Sequence, residues 1–108
     1  MGSWPVRLRP ATKGDVADAV AWYRHEAPEQ VSRFRDEFKK ALVAIRSHPY
    51  LFPEREGPVR LHTMRTFPYG IWYIVNETTH ETHVLAVLHL RRDPATVRER
   101  IEGSRSGS

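Results

Sequence analysis

The chain has 108 residues, 40% hydrophobic and 28% charged, with no cysteine. This length allows one domain with a core held by packing alone, and the composition excludes a disulfide framework, a thiolate zinc site and a low-hydrophobicity disordered chain. The formal charge is +4 and fourteen arginines outnumber three lysines, which raises the case for an anionic partner, nucleic acid or acidic protein, without choosing between them.

No apolar run reaches the roughly 20 residues a spanning helix needs. The start MGSWPVRLRP lacks the apolar segment of a secretory signal, so a cytoplasmic location is expected. Val6 and Leu8 then alternate with Arg7 and Arg9, a half-buried strand that the flanking prolines place at a sheet edge. Thr12 opens TKGD, which resembles a capping box with Asp15 in the usual glutamate position, so a helix is expected to begin there. Val16, Ala19, Val20 and Tyr23 form its apolar stripe and Pro28 ends it.

Pro28 also suits the first turn of a second helix, in which Val31, Phe34, Phe38, Leu42 and Ile45 keep helical spacing up to His48-Pro49. The short link makes the two helices an antiparallel hairpin. PYLFPEREGP reads as a proline-punctuated loop anchored by Tyr50, Leu51 and Phe52. From Val59 the period becomes two, giving strands over Val59 to Thr66, Gly70 to Asn76 and His83 to Leu90. Asp93-Pro94 caps a short last helix with Val97 and Ile101 inward. One domain over residues 1–102 is expected, with residues 103–108 a disordered tail.

The expected fold class is α+β: a helix hairpin on one face of a small antiparallel sheet, in the order β-α-α-β-β-β-α. GIWYIV and VLAVLHL are apolar at successive positions, so both sheet faces call for burial while the hairpin covers only one. The short last helix would cover little, which leaves an apolar face for a partner.

YRHEAPEQVSRFRDEFKKALVAIRSHPYLFP, RTFPYGIWYIV and LAVLHLRRDP, in this order and spacing, resemble the RelE/ParE superfamily of toxins from type II toxin–antitoxin systems over roughly residues 5 to 100. The resemblance implies a toxin that stabilises plasmids and is neutralised by a cognate antitoxin lying over the sheet. Trp72, Ile74, Val84 and Leu88 would be its contacts. In the mRNA-cleaving branch, which acts at the ribosome, an arginine usually follows the aromatic residue that starts the second meander strand, another closes the last strand, and a tyrosine often lies near the C-terminus. Here these positions hold Gly70, Arg91 and, around Val97, no tyrosine. Substitute acid–base chemistry would fall to His89, with Arg91 on the same side of its strand and Arg65 from the neighbouring strand.

The loss of two of the three nuclease features favours the ParE-like branch, which acts on DNA gyrase by protein contact. Arg91, Arg92, Arg98 and Arg100 would then form the target-facing edge. The alternatives are the ribosome-dependent endoribonuclease and a non-toxic binding module of the same fold. No cofactor is expected. His80-Glu81-Thr82-His83 has two residues between its histidines rather than three and no further ligands nearby, so no metal is expected either.

Overall fold

The computed structural model describes residues 4–106. A five-stranded mixed sheet runs in the order β1-β5-β4-β3-β2, built from β1 (Val6–Leu8), β2 (Glu54–Glu56), β3 (Val59–Thr63), β4 (Tyr69–Asn76) and β5 (Glu81–His89). Helices α1 (Pro10–Glu26) and α2 (Val31–Ser47) pack on one face, joined through a 3₁₀ turn at Pro28–Gln30. Helix α3 (Pro94–Ser106) lies on the other face. No helix among the described residues is long and apolar enough to cross a membrane.

The α+β class and the helix hairpin agree with the sequence reading, but the sheet is not wholly antiparallel. β1 pairs with β5 in parallel, Val6 opposite Thr82 and Leu8 opposite Val84, because the chain passes through α1, α2 and the meander before β5 meets it. β2 is a short bulged edge strand inside the segment read as a loop, and it offers its edge acidic side chains.

α1 starts two residues before Thr12. Pro10 occupies its first turn, where a missing N–H costs nothing, and no side chain caps the end. Thr12 and Asp15 are not a capping box because both side chains are used across the sheet edge. The Thr12 hydroxyl donates to the Val84 carbonyl at 2.7 Å and Asp15 Oδ2 accepts the Val87 N–H at 3.0 Å. Beyond Val84 β1 no longer covers β5, so Asp15 satisfies a strand donor that would otherwise be orphaned.

Two cores result. Phe34, Phe38, Ile45, Ile71, Tyr73, Val84 and Val87 lie between the sheet and the hairpin. Tyr73 is held there by a 2.7 Å bond from its hydroxyl to the Pro49 carbonyl, and burial pushes its pKa up to about 12. Val59, Trp72, Leu85, Ala86 and Leu88 lie on the opposite face beneath Val97 and Ile101 of α3.

That second core corrects the expectation of a bare apolar face. α3 runs on through Ser106, so residues 103–106, read as tail, are helical, while residues 107 and 108 lie outside the described residues. Arg9 Nη1 donates to the Ser104 carbonyl at 2.8 Å and ties this end of α3 to the chain after β1. The successive apolar residues of VLAVL also have an internal cause. A bulge pairs Trp72 with Ala86 and Tyr73 with Val84, so Leu85 is the extra residue and shares the α3 side with Ala86.

Candidate functional site

The start of β4 and the end of β5 meet at one corner of the sheet, Tyr69 opposite His89 and Gly70 opposite Leu88. Gly70 is hemmed in there. A Cβ at this position would stand 2.7 Å from Leu61 Cδ1, 2.9 Å from Leu90 Cδ2 and 3.0 Å from the Trp72 ring, all inside van der Waals contact. Tyr69 is enclosed by Tyr23, Phe34 and His89, with ring centroids at 6.3, 5.5 and 5.3 Å. Burial raises its phenol pKa, and the nearby Arg92 opposes that shift.

β5 ends at His89, and the chain turns there. His89 Nδ1 accepts the Arg91 N–H at 3.0 Å and the His89 carbonyl accepts the Arg92 N–H at 3.0 Å. His89 and Arg91 are therefore not alternate residues of one strand, because the second lies in the turn. Among the described residues neither Arg91 nor Arg92 forms an ion pair, and both are exposed.

Arg65 does not join them. It lies in the β3–β4 loop beside a cleft of about 490 Å³ that Lys40, His62 and Thr66 also line, and its charge acts on Glu37. Burial alone would raise the Glu37 carboxyl pKa, but hydrogen bonds from the Thr66 hydroxyl and N–H, with Arg33 and Arg65, bring it below the usual value. The three catalytic candidates His89, Arg91 and Arg65 thus do not converge, because Arg65 turns toward α2.

The other sequence-predicted residues separate into exposed and enclosed. Arg98 is exposed on α3, at a groove of about 700 Å³ that also includes Glu56 and Gly57. Arg100 is not free for a target. It holds Asp15 through two hydrogen bonds, and those bonds raise its pKa. Val84 faces the hairpin with no exposed surface, and Trp72 and Leu88 lie under α3 at 6% and 2% exposure, so the chain itself covers three of the four expected antitoxin contacts. Only Ile74, half-buried at the margin of the second core, reaches the surface.

His83 has both ring nitrogens engaged. Arg9 Nε, which can only donate, bonds Nδ1 at 3.2 Å, and Nε2 faces Glu81 Oε1 at 3.0 Å, which leaves neither nitrogen for a metal. Among the described residues no group of three or more histidine and carboxylate side chains is placed to hold an ion.

The sequence reading passed over Trp22. It sits on α1 outside the apolar stripe, 56% exposed, with its ring edge-on to Tyr23 at 4.9 Å. The signal was available: a tryptophan out of phase with the buried face of an amphipathic helix has no place in the core.

The model of the ParE toxin of the type II toxin–antitoxin system parDE matches residues 6–94. No protein of curated function matches the sequence significantly. Among solved structures, the fold is similar to a chain of the chromosomal ParDE system from P. aeruginosa, with a TM-score of 0.72 and 13% identity over 82% of this chain and 98% of that one. It is also similar to a chain of the RelBE2 toxin–antitoxin complex from Mycobacterium tuberculosis, with a TM-score of 0.51 and 19% identity over 81% and 98%.

Proposed function

The chain belongs to the family of ParE toxins of type II toxin–antitoxin systems, and from that premise we propose that it arrests growth by binding DNA gyrase, without catalysing a reaction, until a cognate antitoxin neutralises it. The space around Gly70 carries this reading. An arginine is called for there if the chain cleaves mRNA, and any side chain at this position must displace the methyls of Leu61 and Leu90 and press on Trp72.

Two further observations support it. His89 spends Nδ1 on the Arg91 backbone, and Arg65 faces another cleft, so a base, an acid and a phosphate-binding cation do not surround one point. Arg91 and Arg92 stand exposed and without carboxylate partners at the end of β5, where they suit docking on an acidic surface. An antitoxin partner accords with the two similar structures, which come from a ParDE system and a RelBE2 toxin–antitoxin complex.

The test is a supercoiling assay with purified gyrase, run beside ribosomes programmed with mRNA. The chain freed of antitoxin should block supercoiling or trap cleaved DNA and leave ribosome-bound mRNA whole. Cleaved mRNA with unimpaired gyrase would overturn the proposal in favour of the endoribonuclease.

A further inference from the structure

Four rings make a continuous row across three elements: Trp22 and Tyr23 of α1, Tyr69 at the start of β4 and His89 at the end of β5. Successive centroids are 4.9, 6.3 and 5.3 Å apart. The row begins at an exposed tryptophan and passes through the core at Tyr23, 8% exposed, to end beside two exposed arginines without ion partners, with Leu90, 43% exposed, between His89 and that pair. Tryptophan, tyrosine and arginine are the residues that dominate binding energy at protein interfaces, and a ring left half in water gains by being covered.

We infer that Trp22, Leu90 and the Arg91–Arg92 turn, held in fixed relation by the rings beneath them, form one docking face whose occupant is a short acidic protein segment. That segment lays an apolar or aromatic side chain against Trp22 and its carboxylates against the arginines. About five residues of extended chain, at about 3.3 Å each, would span the row.

The charges around the face determine this polarity. Asp18 and Glu26 lie one turn to either side of Trp22 on α1, Asp18 exposed and Glu26 paired with His25 at 2.8 Å. Asp93, next to the arginine pair, turns its carboxylate to the Ala95 N–H. The Trp22 end therefore offers apolar contact flanked by acids, and the other end offers net positive charge. A nucleic-acid strand fits less well, because stacking needs open ring faces and Tyr69 is enclosed by Tyr23, Phe34 and His89. The identity of the occupant as part of gyrase rests on the proposed function; the face itself does not.

The experiment compares the full chain with Trp22→Ala and with the double variant Arg91→Glu/Arg92→Glu. The readouts are growth arrest on induction, inhibition of purified gyrase, anisotropy of a labelled single-stranded oligonucleotide, and thermal melting. Each variant should melt like the parent and lose about tenfold or more in growth arrest and gyrase inhibition, with Trp22→Phe recovering part of the loss. A folded Trp22→Ala variant as toxic as the parent overturns the face. Tight oligonucleotide binding that depends on Trp22 overturns the protein occupant. A parent chain that arrests growth but spares gyrase removes the proposed target, while a weaker Trp22→Ala variant still upholds the face. A parent chain that leaves growth unaffected overturns both.

Discussion

Arg100 grips Asp15 with two hydrogen bonds, Nη1 to Oδ1 at 2.6 Å and Nη2 to Oδ2 at 2.9 Å, and so joins the last helix to the first. The same Oδ2 accepts the Val87 N–H, so one buried carboxylate connects α1, α3 and the edge of β5. Asp15→Ala leaves Arg100 partly buried and unpaired and Val87 without an acceptor. It should cost about 3 kcal/mol, at the low end for a broken buried pair because Arg100 keeps some contact with water. Urea unfolding of both single variants and the double Asp15→Ala/Arg100→Ala checks this, and the double variant should be more stable than the two single losses added together.

Gly70→Ala should destabilise the fold by about 1 to 3 kcal/mol through overpacking, since its methyl would stand 2.7 Å from Leu61 Cδ1. Adding Leu61→Val withdraws the nearest methyl and should recover part of the loss. Thermal melts of the three chains suffice, and a fully stable Gly70→Ala would show that the corner has more room than its geometry indicates.

His80 adopts a φ of +57°, in the left-handed region, and its ring stacks on Trp4 at 4.9 Å with planes 19° apart. His80→Gly relieves the backbone and gives up the stack; His80→Ala gives up the stack and keeps the strain. Alanine should therefore be the worse substitution, by about 1 kcal/mol. The comparison needs only two melting curves, and equal values would count against the strain.

Burial lowers the pKa of His62, whose ring lies 3.9 Å from that of Phe52. The unfolded chain takes up a proton near the ordinary imidazole value of about 6.5, and the folded chain does so only at lower pH. In that window the unfolded state binds more protons, so stability rises with pH and is lost as pH falls below the unfolded value. His62→Gln should flatten this part of the profile, read as the urea midpoint at about pH 7.5 and about pH 5.5. An unchanged slope would assign the dependence to other groups.

Local pattern made the helices and strands legible. The stripe Phe34, Phe38 and Ile45 buries as its spacing requires, and Val97 and Ile101 face inward on α3. Long-range pairing was not legible. Nothing in VRL states that it lies parallel to β5, and TKGD satisfies a local capping pattern although its threonine and aspartate side chains serve distant strand groups. The bulge at Leu85 turned a two-sided apolar strand into apparent evidence for a missing partner, and the length of α3 was hidden by the glycine and serines at its end. At the site, the exposed arginine pair followed from sequence. The convergence of His89 with Arg65 did not, because it depended on which way a loop side chain turns.

The parallel seat of β1 has a consequence for the order in which the molecule is made. Val6 pairs with Thr82 and Leu8 with Val84, each 76 positions downstream, and Arg9, just after the strand, reaches the Ser104 carbonyl 95 positions on. Closing so long a loop is entropically costly and slow, and on the ribosome it must wait until β5 has emerged. Trp22 is synthesised early, yet the docking face proposed for it with the Arg91–Arg92 turn cannot form until nearly the whole polypeptide is out. Interrupted synthesis therefore yields a fragment that cannot present that surface at all.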